Sequence, residues 1–137
     1  MKILTTCLGL AGLLFLSACN SAPPATAKEI QTERTKDLAI SLMSEKGELA
    51  MGQNRFIVAF RSTSNNQPVD VGTVTVGSSM AMPGMAPMTA PIELEPGGSP
   101  GQYAAKGDFS MSGAWKFEVR WDGPAGKGVA TFNTNVR

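Results

Sequence analysis

The sequence of 137 residues contains no histidine. That excludes Ser-His-Asp and Cys-His relays, imidazole metal ligands and an imidazole titrating near neutral pH, and with them most hydrolase chemistry. Cysteine is scarce too, with two residues, Cys7 and Cys19, both near the N-terminus. Neither sign of charge is in excess: 12 lysines and arginines face 11 acids. Without a basic surplus to neutralise phosphates, no nucleic-acid partner is expected. No spacing of Asp and Glu pairs two carboxylates in a cleft, so neither an enzyme nor a small-molecule substrate is expected. The length allows one compact domain with appendages.

Long hydrophobic runs are also missing, apart from one at the start. Lys2 precedes an apolar stretch from Cys7 to Leu16, which is too short to span a bilayer and reads as an export signal. The segment Leu16-Ser17-Ala18-Cys19 that closes it resembles the bacterial lipobox, where a small residue precedes a cysteine that is acylated on sulfur and becomes the first residue after cleavage. Residues 1–18 are therefore expected to be a lipoprotein signal peptide, with Cys19 lipidated and the membrane a partner through that anchor. The alternative is an ordinary signal peptide with an incidental Cys19. On the lipoprotein reading Cys7 is discarded and Cys19 is consumed, so no thiol is left for a disulfide or a thiolate metal site. Asn20, rather than Asp, follows the cysteine. By resemblance to Gram-negative lipoproteins this favours the outer membrane, facing the periplasm, if the host is Gram-negative. Cleavage also removes Lys2 and leaves 11 charges of each sign, so net charge steers nothing.

Residues 19–35 are Ser/Ala/Pro/Thr-rich and then charged, and read as a flexible tether with an r.m.s. reach of about 20–25 Å. From residue 36 to 137 the pattern changes to alternation. Leu38, Ile40 and Leu42 share a face, as do Phe56, Val58 and Phe60. Val69–Gly77 flips its apolar parity across Gly72-Thr73, which calls for a β-bulge or a strand that changes sheets. Ile92 and Leu94, then Gln102–Lys106, form short segments, and Tyr103 is assigned to the core. The clearest strand runs from Ala114 to Asp122, with Trp115, Phe117, Val119 and Trp121 on one side, and Ala130, Phe132, Thr134 and Val136 line the last. About seven short strands with turn residues between them predict an all-β fold, an immunoglobulin-like antiparallel β-sandwich.

Folding does not explain the methionines. Four of the eight, Met80, Met82, Met85 and Met88, lie within nine residues, and Met111 precedes the aromatic strand. Pro83 and Pro87 deny this stretch the donors of a central strand, so it reads as a loop. Met82-Pro83-Gly84-Met85 has the residues of a type II turn, which brings its ends within about 7 Å. Thioether sulfur is neutral and soft, and suits Cu(I) or Ag(I) better than zinc, calcium or magnesium. These methionines equally suit adaptable apolar filler or a plastic patch for a protein partner.

Gly52-Gln53-Asn54-Arg55-Phe56, Pro68-Val69, the Met-Pro loop, Pro100-Gly101-Gln102-Tyr103 and Phe109-Ser110-Met111-Ser112-Gly113-Ala114-Trp115 together resemble the YtkA-like/FixH-like domain over residues 36–137. The resemblance implies an immunoglobulin-like envelope domain, associated with heavy-metal efflux or copper-enzyme maturation and without a catalytic residue. The family's Met-Pro segment falls on Met80–Met88, and its Met-x-Gly-x-Trp on Met111, Gly113 and Trp115. The expectation is a lipid-anchored sandwich holding Cu(I) or Ag(I) through Met82, Met85 and Met88, with Met80 or Met111 completing the shell, and passing it to an efflux pump or copper-maturation protein. The alternative is a non-metal interaction module that docks on an envelope complex through the same loop.

Overall fold

A computed structural model describes residues 26–137. The expected signal peptide, residues 1–18, and the expected lipidation site, Cys19, lie outside the described residues. Nine strands are present among those described: β1 (Lys28–Arg34), β2 (Leu38–Ser44), β3 (Gly52–Ser62), β4 (Thr73–Met80), β5 (Met88–Ala90), β6 (Ile92–Pro96), β7 (Gln102–Phe109), β8 (Gly113–Gly123) and β9 (Gly126–Val136). They form two antiparallel sheets, ordered β1-β2-β3-β7-β6 and β5-β4-β8-β9. The first sheet contains the A-B-E-D order and the second the C-F-G order of the immunoglobulin sandwich, with β1 and β5 added at one edge of each.

Two of the nine strands correct the expected seven. β1 lies inside the stretch expected to be tether, so the folded domain begins eight residues earlier than residue 36. Its sequence, Lys-Glu-Ile-Gln-Thr-Glu-Arg, has one large apolar residue and no alternation, because an edge strand is held by its ladder to β2. Glu29 lies opposite Met43 and Gln31 opposite Leu42, so Ile30 is the extra residue of a bulge, and it packs against the core. β5 is only three residues long and pairs with the end of β4, so Met80 and Met88 belong to strands and the loop is confined to residues 81–87.

The core follows the alternation. Leu38, Ile40 and Leu42 from β2, Phe56, Val58 and Phe60 from β3, and Trp115, Phe117, Val119 and Trp121 from β8 are buried. Aromatic rings from the two sheets meet edge to face. Phe117 on β8 contacts Phe56 and Phe109 at 6.0 and 5.6 Å, and Phe60 contacts Tyr103 and Trp121 at 5.7 and 5.6 Å. Such contacts add about 0.5–1.5 kcal/mol per pair beyond area burial. Ser44 is also buried, and its hydroxyl closes the turn after β2 by accepting from the amides of Gly47 and Glu48 and donating to the carbonyl of Glu48.

The parity flip at Gly72 is a change of sheet. Pro68 bridges Arg61 and the Val69 amide donates to Phe60 O, so this part lies against β3, whereas Thr73 onward pairs with β8. At the crossing, the Gly72 amide donates to Asp70 Oδ1 at 2.9 Å, and the Tyr103 hydroxyl donates to Gly72 O at 2.8 Å. Tyr103 is therefore half-buried, with its ring on Phe60 and its oxygen tying the first sheet to the crossover. Burial, reinforced by the charge of Asp70, raises the Tyr103 hydroxyl above the ordinary phenol value, while a backbone contact at Val71 works in the opposite direction.

A group that binds its proton more tightly when folded contributes stability that is complete below its unfolded pKa, about 10 for tyrosine, and lost as pH rises through the folded value. Denaturant midpoints of the wild type should therefore fall above pH 10. Tyr103→Phe should lose about 1 kcal/mol at neutral pH with the hydrogen bond, and should show a shallower alkaline decline. Parallel declines in the two proteins would remove Tyr103 as the cause.

Candidate functional site

The β4–β5 and β7–β8 connections come together at one end of the sandwich, and the five methionines lie on them or, for Met80 and Met88, at the strand ends that flank the first. The turn Met82-Pro83-Gly84-Met85 has the geometry that its residues favour: the Met85 amide donates to Met82 O at 3.1 Å, and Gly84 at the third position has φ +71°. This closes the backbone between Met82 and Met85. On either side of the loop, Met80 and Met88 are direct cross-strand partners, a relation that places Cβ atoms about 4.5–5.5 Å apart.

The side chains have different surroundings. Met80 is 7% exposed, and a Cβ added at Gly113 would lie 3.0 Å from its sulfur, so this methionine is sealed beneath the β7–β8 turn. Met82 and Met88 are half-buried against the core. The Ser110 hydroxyl meets the sulfur of Met88 at 3.4 Å, which links the two connections directly. Met85 is 70% exposed and Met111 40%. The backbone of Met111 is fixed, because the Trp115 indole N–H donates to its carbonyl at 3.1 Å while the ring stacks edge-on with Phe109 at 5.1 Å.

The sulfurs thus form a graded set, with one in the interior, two at the surface boundary and two exposed. Thioethers need no deprotonation to act as donors. Among the described residues, no three His, Cys, Asp or Glu side chains gather in a way that could hold a metal ion.

Sequence reasoning placed Ser110 and Gly113 in the motif that carries the resemblance but missed what they touch. Ser110 touches Met88 across 22 residues of chain, and nothing in the sequence around it signals that contact. Gly113 has a local signal, since it separates Met111 from Trp115, but its role as the cover over Met80 depends on the pairing of β4 with β8.

No curated protein matches the sequence. The fold is similar to that of a DUF4426 family protein from Pseudomonas aeruginosa PAO1, with a TM-score of 0.54 and 18% identity, over 77% of this chain and 96% of that one. At this identity the likeness concerns the fold alone. A family model described as YtkA-like matches residues 32–120, from within β1 to within β8, and takes in the Met turn, Ser110, Met111 and Trp115. With more than half of its length in that match, the chain belongs to the YtkA-like family.

Proposed function

We propose that the protein is a cell-envelope lipoprotein that holds one Cu(I) or Ag(I) ion in transit at the Met end of its sandwich. Met82, Met85 and Met88 supply the sulfurs, and Met111 completes the shell from the neighbouring turn. Met80, buried under Gly113, forms the floor. The observation that carries this reading is the closed type II turn that brings the backbones of Met82 and Met85 together, with Met82 and Met88 half-buried against the core.

Neutral thioethers match a soft monovalent ion and exchange readily, so an ion at the rim can pass to an incoming sulfur donor. The half-exposed position of the set supports transfer to an efflux pump or a copper-maturation protein over permanent storage. In this reading the acylated Cys19 keeps the domain at the outer membrane, facing the periplasm, and no bond is made or broken in a substrate.

The test is an anaerobic Cu(I) titration of the purified chain with Cys7 and Cys19 changed to Ser, against a competing chelator, repeated with Met82, Met85 and Met88 all changed to Leu. Met and Leu are close in volume and such swaps cost less than about 1.5 kcal/mol, so the variant should stay folded. The wild type should take up one equivalent, and the variant should bind at least about tenfold more weakly, a change of about 1.4 kcal/mol. Equal, weak uptake by both would transfer the loop to the second reading, a docking patch for an envelope protein. The outward exposure of Met85 and Met111 favours that reading.

A further inference from the structure

Among the described residues four large apolar side chains are exposed: Met51, Met85, Met111 and Val129. Three are methionines, and the topology brings all three to one end of the sandwich, although Met51 is far from the others in sequence. The β7–β8 turn that carries Met111 starts after Phe109 and ends at Gly113. Phe109 is the ladder partner of Gly52, and Gly113 is the partner of Val136. Met51 immediately precedes Gly52, and its amide donates to the carbonyl of Arg137, the residue after Val136, at 2.6 Å. Met51 is thereby held at both points where the turn leaves its sheets, and lies beside it. Ser110, the first residue of the same turn, meets the sulfur of Met88 at 3.4 Å, so the turn links the connection before β3 to the β4–β5 loop.

The backbone around Met51 is fixed. The Arg137 amide donates to Leu49 O at 2.9 Å. The Asn54 side chain accepts from the Ala50 amide at 2.9 Å and donates to the carbonyls of Ala50 and Gly52 at 2.6 and 2.7 Å. On this rigid support the Met51 side chain is 59% exposed. Arg137 is paired with Glu48 at 3.3 Å, which offsets its repulsion of a cation.

We propose that Met51 is a further thioether ligand, forming with Met111 an outer two-sulfur position for Cu(I) or Ag(I). Neighbouring strands lie about 4.8 Å apart, and at that separation two unbranched side chains with three rotatable bonds each can close on one soft ion. The proposal rests on the metal reading above and extends it. The ion moves from Met82, Met85 and Met88 to Met111, which both positions share, and leaves past Met51, the more exposed of the outer pair.

Titration with silver nitrate tests this in the chain with Cys7 and Cys19 changed to Ser. Isotope-labelled methionine methyl groups are followed by NMR, each assigned through its Leu variant. At one equivalent the Met51 and Met111 signals should move with those of Met82, Met85 and Met88, while that of Met43 on β2 stays in place. Met51→Leu conserves volume at an exposed position and should fold. It should weaken silver binding about fivefold and reduce the Met111 shift. A Met51 signal that stays in place while Met82, Met85 and Met88 move would overturn the outer position and leave the inner one intact. With Met82, Met85 and Met88 all changed to Leu, joint movement of Met51 and Met111 at higher silver would support the outer position by itself. Movement of no methyl signal in the wild type would overturn both.

Discussion

Alanine in place of Trp115 is expected to destabilise the domain by about 3–5 kcal/mol, the range for removing a large buried aromatic side chain. Trp115 is 1% exposed and lies at the junction of core and candidate site, packed on Phe109 and hydrogen-bonded to the carbonyl of Met111. Domains of this size are stable by about 5–15 kcal/mol, so the loss is a large share of that margin, and the urea midpoint should fall accordingly. Trp115→Phe separates the two roles. It keeps a ring against Phe109 and loses the N–H, at a cost of about 1–2 kcal/mol from the hydrogen bond and the reduced volume. In that variant the domain should fold while the β7–β8 turn loosens, and Cu(I) should be held less tightly than by the wild type if Met111 completes the shell. A Trp115→Ala midpoint within error of the wild type would mean that the aromatic interior is not close-packed around this residue.

Gly72→Ala is expected to cost about 2–5 kcal/mol, combining about 1–2 kcal/mol for an L-residue in the left-handed region with about 1–3 kcal/mol for overpacking. Gly72 has φ +78°, and a Cβ there would lie 2.7 Å from Asp122 O and 2.8 Å from Gly123 Cα. Both atoms belong to the backbone of β8 and cannot swing aside, so the crossover itself must shift. The shift should break the hydrogen bond from Tyr103, which gives the variant a signature beyond lower stability: alkaline titration of Tyr103, followed by tyrosinate absorbance, should change. Gly84→Ala is the matched control. Gly84 has φ +71° but nothing lies within 4 Å of a Cβ there, so only the backbone cost of about 1–2 kcal/mol applies. If the two variants proved equally stable, the close approach of Gly72 to β8 would be refuted.

Much of the sandwich was legible along the chain, because a half-buried strand repeats every two residues and states which side chains go inward. The buried residues of β2, β8 and β9 follow that rule, as do those of β3 apart from Ala59. The two strands that were missed break it for physical reasons. β1 is a polar edge strand, stabilised by pairing and by one bulged isoleucine. β5 is three residues long and interrupted by prolines on its approach, so its pairing with β4 is a matter of partner availability. Of the candidate site, the Met82–Met85 turn was readable from Pro83 and Gly84. The different fates of Met80 and Met85 were not, although the two are five residues apart and chemically identical.

Surface ion pairs such as Lys127–Asp122 at 2.7 Å and Arg137–Glu48 at 3.3 Å join exposed side chains. In water such pairs contribute little to stability. The fold therefore rests on the interior that the alternation describes and on the links between the sheets.

By itself, the sequence determined strand character, the inward-facing residues and the type II turn, because each depends on the backbone preferences of residues within a few positions of one another. Only the tertiary structure decided which strands pair, that the chain changes sheets at Gly72, that Tyr103 binds a carbonyl 31 residues away, and which methionine is sealed and which is exposed. Those outcomes depend on neighbours brought together by sheet packing, and no local pattern in the chain encodes them.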